Sequence, residues 1–293
     1  MAKLDNETLQ VIARRRSIRA YQKDSVTNTE KEAIIQATLR APTAGNQMLY
    51  TIIEVEDQQL KDRLAETCDH QPFIASAPYV LLFCADYQRW FDYFLVCQVM
   101  ERCDELGLVY REPEAGDFLL AACDALIAAQ TAVIAAESLG IGSCYIGDIL
   151  ENYETHREMF GLPRWAMPVT LVCFGRAIPS QTPPRQTPRF ERDTVVYQNR
   201  YRQLDPDELS AMFLDREEQF QTHRASSQAA NFGQHMYLRK FIADFSIEMT
   251  RSVRAMIAKR SPRSISMPRL SVPGAGQGTG GTGESGRCAE SRR

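Results

Sequence analysis

The chain has 293 residues, 24% of them charged and 44% hydrophobic, with a formal net charge of −3. A composition this ordinary excludes disorder throughout, and the slight negative balance offers no bulk attraction to nucleic acid. The longest apolar runs, 79–85 and 169–174, have the length of strands, short of the roughly 20 residues of a membrane helix. The opening Met1-Ala2-Lys3-Leu4-Asp5-Asn6-Glu7 lacks the apolar core of a secretion signal. The expectation is a cytoplasmic protein with no membrane or nucleic-acid partner. Eight cysteines, at 68, 84, 97, 103, 123, 144, 173 and 288, include no Cys-x-x-Cys pair and mostly lie in apolar runs. They read as reduced, mostly buried thiols, not as a disulfide or zinc framework.

Apolar spacing predicts a helix over 4–16 that ends in a basic cluster. Thr27-Asn28-Thr29-Glu30 has the pattern of a capping box, so a second helix is expected over 29–40. Ala41-Pro42 stops it, leaving Thr43-Ala44-Gly45-Asn46 as loop. A strand over 50–55, a helix over 58–67 and a strand over 79–84 buried on both faces follow. One helix is expected over 89–106. Asp117 then caps a helix over 118–139, with alanine at 121, 122, 125, 128, 129, 132, 135 and 136. So many small side chains let other elements approach closely, which places this helix at the centre of the fold. Strands are expected over 143–146 and 167–174, with a small helix over 152–160 between them. Prolines at 179, 183, 184 and 188 make 176–193 an extended surface arm. Helices over 205–221 and 237–257 carry apolar stripes that need a partner surface. Residues 260–293, rich in Gly, Ser, Pro and Arg, have almost nothing to bury and are expected to be disordered.

The sequence holds no His-Glu-x-x-His, no Gly-x-Ser-x-Gly and no P-loop. Gly140-Ile141-Gly142-Ser143-Cys144-Tyr145 has tyrosine where a dinucleotide fingerprint has its third glycine, and it precedes a strand instead of following one. An enzyme built on this chain needs a cofactor to supply its reactivity. Arg14-Arg15-Arg16-Ser17-Ile18-Arg19 sets four guanidinium forks, suited to phosphate, within six residues. Taken alone, the cluster reads as a solvated helix end favoured by the dipole. Three further segments change that weighing. The 43–46 loop can bring amide groups near a ligand, Tyr145-Ile146-Gly147-Asp148 closes a strand where backbone can lie against a flat ring, and Arg185 and Arg189 add cations from the arm.

In order along the chain, Arg15-Arg16-Ser17-Ile18-Arg19-Ala20-Tyr21, Ala41-Pro42-Thr43-Ala44-Gly45-Asn46, Ala75-Ser76-Ala77-Pro78 before Cys84-Ala85-Asp86, Ala135-Ala136-Glu137-Ser138-Leu139-Gly140-Ile141-Gly142 running into Tyr145-Ile146-Gly147, and Pro188-Arg189 with Tyr201 resemble the FMN-dependent nitroreductase family. The resemblance covers roughly 8–204 and is closest to the oxygen-insensitive NADPH nitroreductase and flavin reductase branch. It implies an α+β three-layer sandwich with a mostly antiparallel mixed sheet flanked by helices. It implies an FMN-binding domain over 1–204 and a helical extension over 205–259 that packs on a dimer partner; the tail over 260–293, expected to be disordered, has no counterpart in the family pattern. It also implies a homodimer with one FMN in each of two interface clefts.

By the same resemblance, Arg15 and Arg19 face the FMN phosphate, while Arg16 and Ser17 lie toward the ribityl chain and pyrimidine edge. Arg16 is the candidate charge at the N1–O2 edge. Thr43 and Asn46 reach the ring from the second subunit's loop or from the same loop. Gln71 hydrogen-bonds the flavin, and Tyr145, Ile146 and Gly147 supply backbone contacts near N5. Arg189 completes the phosphate site; where relatives often carry a lysine this chain has Thr187, so that either Arg185 substitutes for it or phosphate affinity is lower. No catalytic side chain is required. The implied chemistry is ping-pong transfer of a hydride from NADPH, or NADH, to flavin N5, then of electrons to a small-molecule nitroaromatic, quinone, azo or flavin acceptor. Arg200, Arg202, Arg224 and Arg239 are candidates for the NADPH 2′-phosphate. The residues also leave open a dedicated flavin reductase, an FMN-dependent dehydrogenase of a small heterocycle, and an FMN-binding protein without turnover.

Overall fold

The computed structural model describes residues 6–23, 26–179, 186–222 and 228–258. Residues 260–293, Arg185 and Arg224 lie outside them. Four strands form the sheet: β1 (Tyr50–Glu54), β2 (Tyr79–Asp86), β3 (Gly142–Ile146) and β4 (Ala166–Gly175), in the order β1-β2-β4-β3 with every neighbour antiparallel. β2 is buried along its whole length, as its unbroken apolar run requires of a strand covered on both faces.

One face of the sheet carries α2 (Asn28–Thr38) and α7 (Ala115–Ser138). Thr27 and Glu30 make the reciprocal capping box that starts α2. Ala121, Ala125, Ala128, Ala129, Ala132 and Ala136 of α7 are fully buried against the strands, so the alanine face does what its small side chains allow. The opposite face is covered by α3 (Gln58–Thr67) and α4 (Phe73–Ser76), with Leu64 and Ile74 packed on Leu82, Ile146 and Leu171. The result is the expected helix–sheet–helix sandwich.

Several expectations need correction. α7 starts at Ala115, with Glu114 as its N-cap and Asp117 as the third-residue partner of the box. α7 is also long and apolar enough to cross a membrane by composition, which a search for unbroken apolar runs passed over; its alanine face is packed on the sheet. The single helix expected over 89–106 is two, α5 (Gln88–Val96) and α6 (Val99–Glu105), separated by Gln98 in the left-handed region at φ 55°. The apolar spacing runs on through that residue and gives no sign of the turn. The helix expected over 237–257 is likewise interrupted. After α8 (Tyr153–Met159) and α9 (Pro206–Thr222) come α10 (Phe232–Met236), a π-type turn at Tyr237–Phe241, and α11 (Asp244–Ile257). α11 finds part of its partner surface within the chain, since Met256 and Val253 pack near Tyr153 and Trp165. All seven described cysteines are free; Cys68, Cys84, Cys144 and Cys173 are buried, whereas Cys97 and Cys123 are exposed.

Candidate functional site

α1 (Glu7–Arg14) is capped by Asn6 and delivers the basic cluster into a strap that crosses the ends of β3 and β4. Ser17 bridges Ser143 in parallel, and the Ile18 N–H donates to Ser143 O at 2.9 Å. Further along, the Gln22 N–H donates to Arg176 O at 2.8 Å and the Ile178 N–H to Ala20 O at 3.3 Å. The Tyr21 hydroxyl donates to Ile18 O at 2.6 Å and closes the strap on itself. Two glycines admit this close approach. A Cβ on Gly142 would collide with Ile18, and one on Gly175 would lie 2.6 Å from the Tyr21 ring and 2.8 Å from Pro78.

The strap presents its cations along β3, beside Ser143, Cys144 and Tyr145. Arg14 is held, with Nη2 donating to Glu137 O at 3.0 Å and Nε 3.7 Å from Glu137 Oε1. Arg15 and Arg16 are half-buried; among the described residues neither they nor the exposed Arg19 makes an ion pair with a carboxylate. Burial pushes the Glu137 carboxyl up, against the pull of Arg14, Arg15 and Arg16 beside it. The Arg19 guanidinium stands 5.9 Å from the centroid of the Phe73 ring. Burial raises the Cys144 thiol, with Arg19, Ser17 and Arg15 opposing. Burial likewise pushes the Tyr145 phenol up to about 12, with Arg15 opposing, and its hydroxyl donates to Gln130 Oε1 at 3.1 Å. Gln71 joins from the turn after α3, its amide nitrogen 2.7 Å from Asp148 Oδ2. Ile146 is buried and Gly147 exposed beside it. These residues are thus strung along β3: Ser17 at Ser143, Arg19 near Cys144 and Arg15 near Tyr145, with Gln71 meeting Asp148 just past Ile146 and Gly147.

The remaining expected residues do not join them within one chain. Asn46 and Thr43 belong to a loop pinned by Asp124, and Thr43 Oγ1 accepts the Met48 N–H at 3.1 Å. Asp124 and Glu137 are thirteen positions apart on α7, roughly 20 Å of helix. The 43–46 loop thus lies toward the far end of α7 from the basic cluster. Arg189 turns onto its own loop, donating to Thr187 O at 2.9 Å and Pro188 O at 3.3 Å. The arm nevertheless touches the last turn of α1, because Gln186 Nε2 donates to Ala13 O. Of the candidates for the 2′-phosphate, Arg202 is paired with Glu208.

Sequence reasoning missed Asp124, Asp148 and Glu151. Asp124 left a signal, a lone carboxylate in the alanine run. Asp148 was visible only as the last residue of the Tyr145–Asp148 segment, with nothing to mark its side chain as a partner of Gln71, and Glu151 left no signal.

The four-stranded antiparallel sheet with helices on both faces defines an α+β sandwich. More narrowly, residues 12–176 match the family model described as the Nitroreductase family, and the chain belongs to that family. It is 30% identical over 229 residues to an oxygen-insensitive NADPH nitroreductase of Salmonella typhimurium, covering 78% of this chain and 89% of that one. It is 32% identical over 216 residues to an FMN reductase [NAD(P)H] of Bacillus subtilis, covering 73% and 81%. The crystal structure of nitroreductase A from Vibrio parahaemolyticus superposes with a TM-score of 0.70 at 26% identity, covering 86% of this chain and 97% of that one.

Proposed function

We propose that this protein is an FMN-dependent oxidoreductase that draws electrons from NAD(P)H, NADPH preferred, and delivers them to a nitroaromatic, quinone, azo or flavin acceptor. The observation that carries the reading is the set of guanidinium groups of Arg15, Arg16 and Arg19. They lie beside the Ser17 hydroxyl on one strap, without carboxylate partners among the described residues. Such a donor set fits a phosphate dianion and an electron-rich ring edge. FMN, when bound there, supplies the hydride and electron chemistry that no side chain of this chain can supply.

The protein's part is binding and orientation. Arg15 and Arg19 grip the phosphate. Arg16 holds permanent positive charge toward the pyrimidine edge, since guanidinium stays protonated at every working pH. Gln71 and the 145–147 backbone line the ring. Arg189 contributes only where its guanidinium leaves the carbonyls of Thr187 and Pro188. The donor preference rests on the naming of relatives such as the Salmonella typhimurium NADPH nitroreductase. Seven free described cysteines fit a reducing, cytoplasmic setting.

The site is completed in a homodimer. The outer face of α7 exposes Leu119, Leu120, Leu126 and Ile127, an apolar stripe on the helix that carries Gln130 and Asp124. A two-fold axis through the middle of that stripe turns the partner's 43–46 loop toward Gln130 and Tyr145, which lets Thr43 and Asn46 serve the other chain's ring. Residues 1–204 then form the FMN-binding unit, and the 205–259 extension, with Phe241 and Ile247 exposed, packs on the partner.

The test is the visible spectrum of the purified protein before and after NADPH, then with a nitroaromatic or menadione. A flavin band that bleaches with NADPH and returns with acceptor is expected. A yellow protein that never bleaches supports a flavin-binding protein without turnover. A preparation that takes up no FMN overturns the reading.

A further inference from the structure

Gln71 is fixed more firmly than a ring contact alone requires. Its backbone N–H donates to Ala65 O at 2.7 Å. Its side-chain nitrogen donates to Cys68 O at 2.9 Å and to Asp148 Oδ2 at 2.7 Å. A backbone carbonyl can only accept, so the nitrogen must face inward, and the two acceptors use both of its hydrogens. The Oε1 takes no hydrogen bond from the described residues.

Asp148 opens the short 3-10 turn Asp148–Leu150, directly after Gly147. Glu151 closes it, its N–H donating to Asp148 O at 3.0 Å. Glu151 is 6% exposed, and its Oε1 has no hydrogen-bond partner among the described residues. Burial, with Asp148, Asp69 and Glu248 nearby and a hydrogen bond to Asp148, pushes its carboxyl up to about 7. The other groups that face this turn do not relieve it. Burial raises the Cys68 thiol, as do Asp148 and Glu151. Burial holds His156 down, with Nδ1 3.0 Å from Ile149 O and Nε2 2.9 Å from Thr67 Oγ1. Glu248, from α11, is tied to Arg251 at 2.7 Å.

We propose that Asp148 is a positioning residue for Gln71: it takes one hydrogen of the amide nitrogen and so orients the group with only its carbonyl oxygen facing bound FMN. The inference rests on the FMN reading above. It commits to a direction, because the group opposite Gln71 must be a donor, and oxidised isoalloxazine has a single ring N–H, at N3.

The test combines the full chain with isotope labels. In apo protein, the Gln71 side-chain amide should show two separated, slowly exchanging protons. Their shifts should move between about pH 6 and pH 8 as Glu151 ionises. Asp148→Ala should merge the pair and weaken FMN binding roughly tenfold, the scale of one lost charged hydrogen bond. Asp148→Asn, which keeps an acceptor, should restore most of both. Glu151→Gln should keep the pair and abolish its pH response, and it carries the test if Asp148→Ala does not fold. With FMN labelled at N3, the N3–H should be protected from exchange in wild type and not in Asp148→Ala. Equal protection in both overturns the positioning role and leaves the cofactor reading intact. A wild-type protein that takes up no FMN overturns both.

Discussion

Asp124 pins the loop that begins at Ala44. From the alanine face of α7, where it is 2% exposed, its Oδ1 accepts the Ala44 N–H at 3.0 Å and its Oδ2 accepts the Leu49 N–H at 3.2 Å. The loop it holds is left-handed at Gly45, Asn46 and Met48, a conformation costly for the last two. A buried carboxylate on a rigid helix thus sets where Thr43 and Asn46 stand. Asp124→Ala should leave two backbone donors without their acceptor and cost about 2–4 kcal/mol, read from urea unfolding. FMN affinity should fall as well if the partner's loop reaches the ring.

The cations should separate binding from stability. Arg15→Ala and Arg19→Ala should each weaken FMN by about 10–100-fold in a fluorescence titration, the loss of one or two charged hydrogen bonds. Without carboxylate partners among the described residues, they should change apo unfolding by no more than about 0.5 kcal/mol. Arg189→Ala should weaken FMN by only about threefold, because its guanidinium already serves the Thr187 and Pro188 carbonyls.

Gly175→Ala places a methyl 2.6 Å from the Tyr21 ring. It would also lie 2.8 Å from Pro78, and displacing the Tyr21 ring would strain its hydrogen bond to Ile18 O within the strap. A loss of about 1–3 kcal/mol in thermal unfolding is expected, together with weaker FMN binding. Unchanged FMN affinity would show that strap geometry is not what gathers the arginines.

The pH dependence has a definite sign. The Glu151 carboxyl is raised from 4.5 to about 7 in the folded chain. The stability it lends is therefore complete below about pH 4.5 and is lost as pH rises through about 7. Glu151→Gln should be more stable than wild type at pH 8 and not at pH 4, by denaturant titration at each pH. Glu30 runs the other way. Arg176, at 2.6 Å, and the capping hydrogen bonds hold it down at about 2, so its contribution is present at neutral pH and fades as acid approaches that value.

Leu126→Glu puts a charge in the middle of the exposed α7 stripe. Sedimentation should show a dimer in wild type and a monomer in the variant, with FMN affinity reduced because each cleft loses the partner's loop. A variant that remains dimeric places the interface elsewhere.

The elements that local chemistry specifies were legible in the residues. Thr27 and Glu30 announce the start of α2, and the unbroken run from Tyr79 announces a strand covered on both sides. The alanine spacing marks α7 as the central helix, since only small side chains let a sheet come so close. The basic cluster and the segment around Tyr145 were visible as motifs. Their meeting was not, because it depends on Ile18 and Tyr21 seating over Gly142 and Gly175 from far along the chain. The breaks at Gln98 and before Asp244 were hidden because apolar periodicity continues through them. Gln71 and Asp148 are 77 positions apart. A hydrogen bond across that separation leaves no local pattern, so tertiary structure alone decides that one orients the other. The same holds for the distance between the 43–46 loop and the arginines. The sequence supplied both groups, and the length of α7 set them apart.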